Sequence, residues 1–566
     1  MHKLSVLLTP FPCAVLFCLA NAFKPALIDD LGYIWFIRPI LDNPLQPFGP
    51  PPDGFRLIWY AQGQGSFALL TPMVMPYWLA IGASFFGENL VLLKLWLFPF
   101  CLLFATAIAS LLRRFAPAYA KPFLAMTIFS PSFLPSINVM VDVPALALGL
   151  SALAIFLKAL DSKTPRWRWV LLAGLLAGLA AQTKYTGTTA TASILLYAIL
   201  HRRWREGAVA AAIAIAIFVG WEAYLSHVYG RTHFLLHLEQ RESTMTFERK
   251  LGMIGPLIGV LGSLTPAMIS LLLLASRYRR SIVLGSLGLM VFGFLFMALV
   301  PESLGLFYRH PTRVNNEVSI STIVAGVNGA VFTFLMVGVI GYLGWRGWSK
   351  RRPKPRFGSA NFFLVGWLLI ELVAYFPLSP FAAARRAMGI IVVSTMLTGR
   401  LLNLTDRRQV HQNLVSAIAL FGVGLGVLFA WTDYRDALVE KRGLQESVAW
   451  IRQQSGGERR IWFTGHWGFH YYGREAGLRA VDPGTSTLDE GDWLIYPDTR
   501  LRPYGQLIDH DWDSLEKLVV IEWHDRWPLR TIPDFYGGAQ SIRHHEEHRL
   551  RVTIYRVKKQ FQAQPP

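Results

Sequence analysis

Charge is what this sequence has least of. Only 16% of its 566 residues are Asp, Glu, Lys or Arg, against about 25% in a soluble globular domain. Hydrophobic residues make up 53%, and the mean hydropathy is +0.36. This excludes an ordinary soluble enzyme and describes a chain that crosses a membrane many times. Acids are scarcest where the chain is most apolar. Of the 36 Asp and Glu residues, 20 follow residue 432 and 16 precede it. Each acid in that first part needs a reason. Cysteine is nearly absent: Cys13, Cys18 and Cys101 all lie in apolar segments, and the polar tail has none. A disulfide framework or a cysteine metal site in the tail is excluded. Internal repeats are missing, and the only low-complexity tract is the Pro-rich "PFGPPPDG". The formal net charge of +19 invites a nucleic-acid reading. Placement argues against it, because Lys and Arg sit in short clusters between apolar segments, as in the cytoplasmic loops of membrane proteins. No nucleic-acid partner is expected.

What is present is a series of apolar runs long enough for membrane helices, which need about 20 residues each. They lie near 4–22, 91–112, 118–136, 143–160, 168–183, 186–201, 208–228, 254–275, 282–300, 321–345, 361–378, 387–402 and 413–431. That predicts about 13 spans, with the first kept as an uncleaved helix. The pair at 168–201 reads as two short helices joined by a tight turn at "QTKYTG". Basic clusters such as "LLRRF", "HRRWR" and "RGWSKRRPKPR" mark the interior loops. The N-terminus is then inside, and an odd number of spans leaves the tail outside. In a bacterial cell this means the inner membrane, with the tail in the periplasm. The first exterior loop, 23–90, includes an apolar stretch at 68–86. It is expected as an interfacial or re-entrant helix, since a further span would turn the basic loops outward.

Two domains are expected: a transmembrane module at 1–432 and an exterior α/β domain at 433–566. The tail opens with the helical pattern "LVEKRGLQESVAWIRQQSG". The strand-like runs "RRIWFTG", "DWLIYP", "KLVVIEW" and "RVTIYRV" follow. It is long enough to form its own core.

The acids carry the functional signal. In "ALIDDLGYIWF", Asp29 and Asp30 stand just past the first span, in the first exterior loop. "TPMVMPYWLAI" follows in the same loop. "NVMVDVPALALGL" places Asp142 before the fourth span, and "LLAGLLAGLAAQTKYTG" places Lys184 in an exterior turn. In order, spacing and exterior placement, these segments resemble the polyprenyl-phosphate-dependent glycosyltransferases of the GT-C fold. The lipid A aminoarabinose transferase and the protein O-mannosyltransferases are members. The likeness runs through residues 1–200 and more loosely through 361–402. Asp30 stands where many members have Glu. The resemblance implies an inverting enzyme that moves a sugar from a polyprenyl-phosphate donor to an envelope lipid, glycan or protein.

The chemistry of such a transfer can be set beside these residues. The donor is a glycoside with a phosphate leaving group, so the acceptor needs a base and the phosphate needs cations. Asp29 is the candidate base, with Asp30 beside it and Asp142 as a second acid that binds the acceptor or a divalent metal. Lys184, Arg385 and Arg386 are candidates for the donor phosphate. The two arginines lie in an exterior loop, against the positive-inside trend. Plainer readings exist for each. Asp29 or Asp30 would cap the helix that follows, and Asp142 would cap its own. Lys184 would only snorkel. Arg309, His310 and Arg313 are weaker phosphate candidates. Glu222 and Glu371 lie in or near spans, where acids pair with neighbouring helices or serve function. His466 and His470, spaced i, i+4, belong to an aromatic cluster or a metal pair. A transporter or lipid flippase, and a non-catalytic envelope assembly protein, are the competing classes. The first should place charge at the bilayer midplane and show repeated halves. The second leaves Asp29, Asp142 and Lys184 unexplained.

Overall fold

The computed structural model describes residues 9–48, 72–161, 164–239, 246–275, 284–285, 288, 306–307, 317–318, 320–349, 355–405, 412–454, 459–482, 484–498, 512–524, 527–531, 534–537, 541–544 and 549–563. Most of the described residues up to 454 are helical. Among the described residues, seven helices are long and apolar enough to cross a membrane. They are Leu90–Phe115, Asp142–Ala159, Trp204–Tyr229, Thr322–Trp345, Ala360–Leu378, Met388–Thr405 and Gln412–Gln454. Shorter apolar helices cover Pro10–Ala22, Val74–Phe86 and Tyr185–Leu200. The chain is therefore a multi-pass helical membrane protein with a strand-containing C-terminal domain. The expected span at 282–300 and the candidates Arg309, His310 and Arg313 lie outside the described residues.

Two expected spans are broken, and proline explains both. The segment 254–275 is a bent pair, Arg249–Leu264 and Pro266–Ala275, turning by 81°. Pro266 has no amide to continue the ladder. The segment 118–136 forms only the helix Ala120–Ile128. Turns and a 3-10 helix at Leu134–Ser136 follow, with Pro131 and Pro135 in the break. From 130 to 141 the chain is buried throughout. Irregular backbone survives in a membrane protein where protein covers it.

The helix Gln412–Gln454 has 43 residues and runs unbroken through position 433. At 1.5 Å per residue it is roughly 65 Å long, about twice the hydrocarbon thickness. Its upper part buries Thr432, Asp433, Asp436, Ala437, Glu440, Gly443, Leu444, Ser447, Val448 and Ile451. The i, i+3, i+4 spacing makes one face of a helix. That face lies under a five-stranded sheet of β1 (Ile461–Phe463), β2 (Arg479–Ala480), β3 (Trp493–Pro497), β4 (Leu515–Trp523) and β5 (Leu550–Val557). Their order is β2-β1-β3-β5-β4. The first three strands are parallel, while β5 runs antiparallel to β3 and β4. The four strand-like runs of the sequence are β1, β3, β4 and β5. The core joins Leu444, Val448, Phe463, Phe469, Ile495 and Val552 to Ala26 of the loop after the first helix.

Candidate active site

The acidic pair sits on a strained turn. Ile28 has φ +44°, which a β-branched residue rarely adopts. The short helix Asp30–Trp35 follows at once. The two carboxylates do different things. Asp30 is fully buried. Its Oδ2 accepts the Leu27 amide at 3.1 Å and its Oδ1 the Val139 amide at 2.9 Å. Lys94 Nζ stands 3.6 Å away. Burial, the leading influence, pushes the Asp30 carboxyl upward, and Lys94 and Lys24 oppose it. Asp29 occupies the N-cap position yet makes no capping hydrogen bond. Its Oδ2 instead accepts from Arg385 Nη1 at 2.8 Å.

Arg385 joins Asp29 to Asp142. Its Nη1 is also 3.9 Å from Asp142 Oδ2. Lys184 Nζ donates to the other Asp142 oxygen. Asp142 opens the helix Asp142–Ala159 without capping it. Lys184 is presented by the turn between Trp167–Thr183 and Thr188–Leu200. That turn has to be tight, because a Cβ on Gly187 would lie 2.3 Å from the Ala180 carbonyl. Arg385 and Arg386 come from a 3-10 turn, Ala384–Arg386, ahead of the helix Met388–Thr405. Arg386 lies over the Phe381 ring at 4.5 Å. Asp29, Arg385, Asp142 and Lys184 thus form one continuous chain of alternating charge.

That chain borders a narrow cavity of about 70 Å³. Asp142, Lys184, Arg385 and Arg386 line its charged end, and Trp367 and Glu371 line it farther in. Its walls are the helices Asp142–Ala159, Thr188–Leu200, Pro355–Leu378 and Met388–Thr405. Glu371 accepts from Trp367 Nε1 at 3.1 Å. Glu222 is engaged elsewhere, near the Lys184 turn, by the Tyr185 hydroxyl at 3.3 Å and the Phe234 amide at 2.9 Å.

Behind Asp30 runs a buried polar network. Lys94 Nζ donates to the Lys24 carbonyl at 2.6 Å. Lys24 Nζ donates to Asp433 Oδ2 at 2.8 Å and to the Pro135 carbonyl at 2.6 Å. Asp433 also accepts from the Thr531 and Tyr536 hydroxyls, both at 3.0 Å. Tyr536 accepts from Asn138 Nδ2 at 2.9 Å. The network binds the first loop, the broken segment before Asp142 and the C-terminal domain together. Sequence reasoning passed over Lys24, Lys94 and Asp433. Lys94 had a signal, being a lone ion inside "LVLLKLWLF".

The helix Trp467–Glu475 closes the other side. The Ala26 amide donates to the Tyr472 hydroxyl at 2.9 Å, and the Arg474 guanidinium lies 5.2 Å over the Trp35 ring. His466 stands at the N-cap of this helix. Burial lowers its pKa to about 4, with Asp29 acting the other way. Burial, then the charges of His466 and Arg474, lower His470 to about 3. Among the described residues, no three His, Cys, Asp or Glu side chains are grouped to hold a metal.

The model of the dolichyl-phosphate-mannose-protein mannosyltransferase family matches residues 71–223. That stretch includes Asp142, Lys184 and the helices that carry them. No curated protein matches the sequence. Among solved structures, the chain is similar to the archaeal oligosaccharyltransferase AglB from Archaeoglobus fulgidus, in complex with an inhibitory peptide and a dolichol-phosphate. Identity is 13% and the TM-score 0.44, over 86% of this chain and 69% of that one. It is also similar to ArnT from Cupriavidus metallidurans bound to undecaprenyl phosphate, at 13% identity and a TM-score of 0.38 over 96% of each chain. Over residues 71–223, this chain is similar to the dolichyl-phosphate-mannose-protein mannosyltransferase family.

Proposed function

We propose that this protein is an inverting glycosyltransferase. It takes a sugar from a polyprenyl-phosphate donor and passes it to an envelope lipid, glycan or protein at the outer face of the cytoplasmic membrane. One observation carries the reading: an acid, two cations and a second acid are linked beside a cavity between membrane helices, with Asp142, Lys184 and Arg385 lining it. Such a cavity suits a donor whose tail stays in lipid while its phosphate meets charge.

In this reading Lys184, Arg385 and Arg386 bind the phosphate and stabilise it as it leaves. The acceptor hydroxyl or amine attacks the anomeric carbon from the opposite side. Its proton passes to the Asp29 carboxylate. Asp142 holds Lys184 and Arg385 in position. Asp30, committed to two backbone amides and Lys94, fixes the turn that presents Asp29. Arg385 and Lys184 pair with the Asp29 and Asp142 carboxylates, and this reading assigns the leaving phosphate to the basic side chains.

The orientation follows the basic loops, with the N-terminus inside and the C-terminal domain outside. A reporter active only outside should work when fused after residue 566. Activity from an interior reporter alone would refute this orientation. The function is tested by mass spectrometry of envelope lipids, glycans and glycoproteins from cells with and without the gene. The expected result is one glycoconjugate lost on deletion, together with binding of undecaprenyl phosphate by the purified protein. Unchanged glycoconjugates and altered transport of a lipid or solute would favour the transporter class instead.

A further inference from the structure

We propose that His466, supplied by the C-terminal domain, is the acceptor-side residue of this site. It hydrogen-bonds the attacking group, donating its ring N–H to a hydroxyl oxygen or accepting one N–H of an amine, and aims that group between itself and Asp29. The inference rests on the transferase reading and adds to it the residue that orients the nucleophile.

The argument begins with how closely the two segments meet. A Cβ placed on Gly468 would lie 2.2 Å from the Ala26 carbonyl oxygen. Only glycine lets the helix start approach the loop this far. The Tyr472 and Arg474 contacts fix the rest of the helix over the same loop, at Ala26 and Trp35. His466 and Asp29 each sit at the N-cap of a helix in this junction.

Backbone strain marks the same two places. Among the described residues, only Ile28, Arg202 and Trp467 have positive φ without being glycine. Ile28 immediately precedes Asp29, and Trp467, at φ +56°, immediately follows His466. For a β-branched and a bulky aromatic residue this conformation is costly, and it persists where the surroundings enforce it. Two strained turns, on segments more than 400 residues apart in sequence, each set the direction of one polar side chain at one junction.

The chemistry of His466 fits the role. It is 9% exposed, and burial keeps it neutral near pH 7 with Asp29 as the nearby charge. A neutral imidazole has one donor and one acceptor nitrogen. It can hold a hydroxyl through an oxygen lone pair, or an amine through one of its hydrogens, and leaves the proton that passes to Asp29 free to go there. Arg385 lies between Asp29 and the donor cavity. The acceptor would therefore enter from the C-terminal domain and the donor from the bilayer.

The test uses the full-length protein with His466→Gln and His466→Leu. One readout is binding of undecaprenyl phosphate. The other is the envelope glycoconjugate that disappears when the gene is deleted. Gln keeps a donor and an acceptor, while Leu keeps volume and loses polarity. The expected result is at least a tenfold loss of product for Leu, near-normal product for Gln, and donor binding within twofold of wild type for both. A packing role would instead favour Leu over Gln at this buried position. Full product from His466→Leu, or equal loss from both variants with donor binding kept, overturns the proposal. Gly468→Ala serves as a second variant should His466→Leu fail to accumulate. It displaces His466 from Asp29 while leaving both residues unchanged, and it should lose product while still binding undecaprenyl phosphate. Full product from it overturns the proposal too. If wild type itself binds no undecaprenyl phosphate and deletion removes no glycoconjugate, the transferase reading falls and this inference with it.

Discussion

Replacing Asp29 with Asn removes one negative charge and changes little else. The side chain makes no capping bond, so the helix Asp30–Trp35 loses nothing there. Asn would in any case cap as well as Asp. Arg385 keeps Asp142 at 3.9 Å after the change. The penalty should therefore stay below the roughly 3–5 kcal/mol of orphaning a buried charge. Rate is another matter. A positioned base contributes about 100- to 10,000-fold, or roughly 2.7–5.5 kcal/mol of barrier at 1.36 kcal/mol per decade. An amide cannot take the acceptor's proton. The variant should reach normal membrane levels, bind undecaprenyl phosphate nearly as wild type does, and fall at least a hundredfold in product by quantitative mass spectrometry. Normal product from a folded, donor-binding Asp29→Asn protein would refute the base assignment and send the search to Asp142.

Three further outcomes follow from the geometry. Lys184→Met should weaken undecaprenyl phosphate binding by about tenfold or more, because a hydrogen bond to a charged group contributes roughly 1.5–3 kcal/mol; titration of the purified protein measures it, and unchanged affinity would remove Lys184 from the phosphate. Asp433→Ala leaves Lys24 without its buried carboxylate, which should cost about 3–5 kcal/mol and appear as a lower melting temperature or loss from the membrane. His466 and His470 have folded pKa values of about 4 and about 3, below the 6.5 of a free histidine. The unfolded chain thus binds more protons in that window, and stability should fall as pH drops from about 6.5 towards 3. Thermal melts of wild type should steepen in that range, and those of His470→Phe should be flatter.

The scarcity of acids makes the candidate site legible in the sequence. Asp29, Asp142, Lys184 and Arg385 each stood out against an apolar background, and they do lie in one chain of contacts. Their partners were not legible. Which of two adjacent carboxylates faces the cavity side and which is tied to backbone depends on a turn with positive φ, and "LIDD" carries no glycine to announce it. Long-range pairings such as Lys24 with Asp433 join positions 409 apart, and no local pattern reports them. The spans at 118–136 and 254–275 were misjudged as continuous because hydropathy counts Pro131, Pro135 and Pro266 without weighing their missing amides. His466 lay in a recognised aromatic stretch, but its nearness to Asp29 arises only when the C-terminal domain is seated on the first loop.

The 43-residue helix from Gln412 to Gln454 contains no proline. A Cβ on its Gly426 would lie 1.8 Å from the Phe129 carbonyl oxygen, so its lower half is clamped to the broken segment before Asp142, while its upper half is the floor of the sheet domain. A rod held at both ends transmits rotation and has no hinge to absorb it. The C-terminal domain and the membrane bundle are therefore coupled through this helix. Any tilt of that domain is also a tilt of the membrane helices packed on it. Under the proposed transfer, loading of the two substrates would be mechanically linked: an acceptor that shifted the domain by a few degrees would alter the membrane bundle, and a donor that spread the bundle would alter the surface offered to the acceptor.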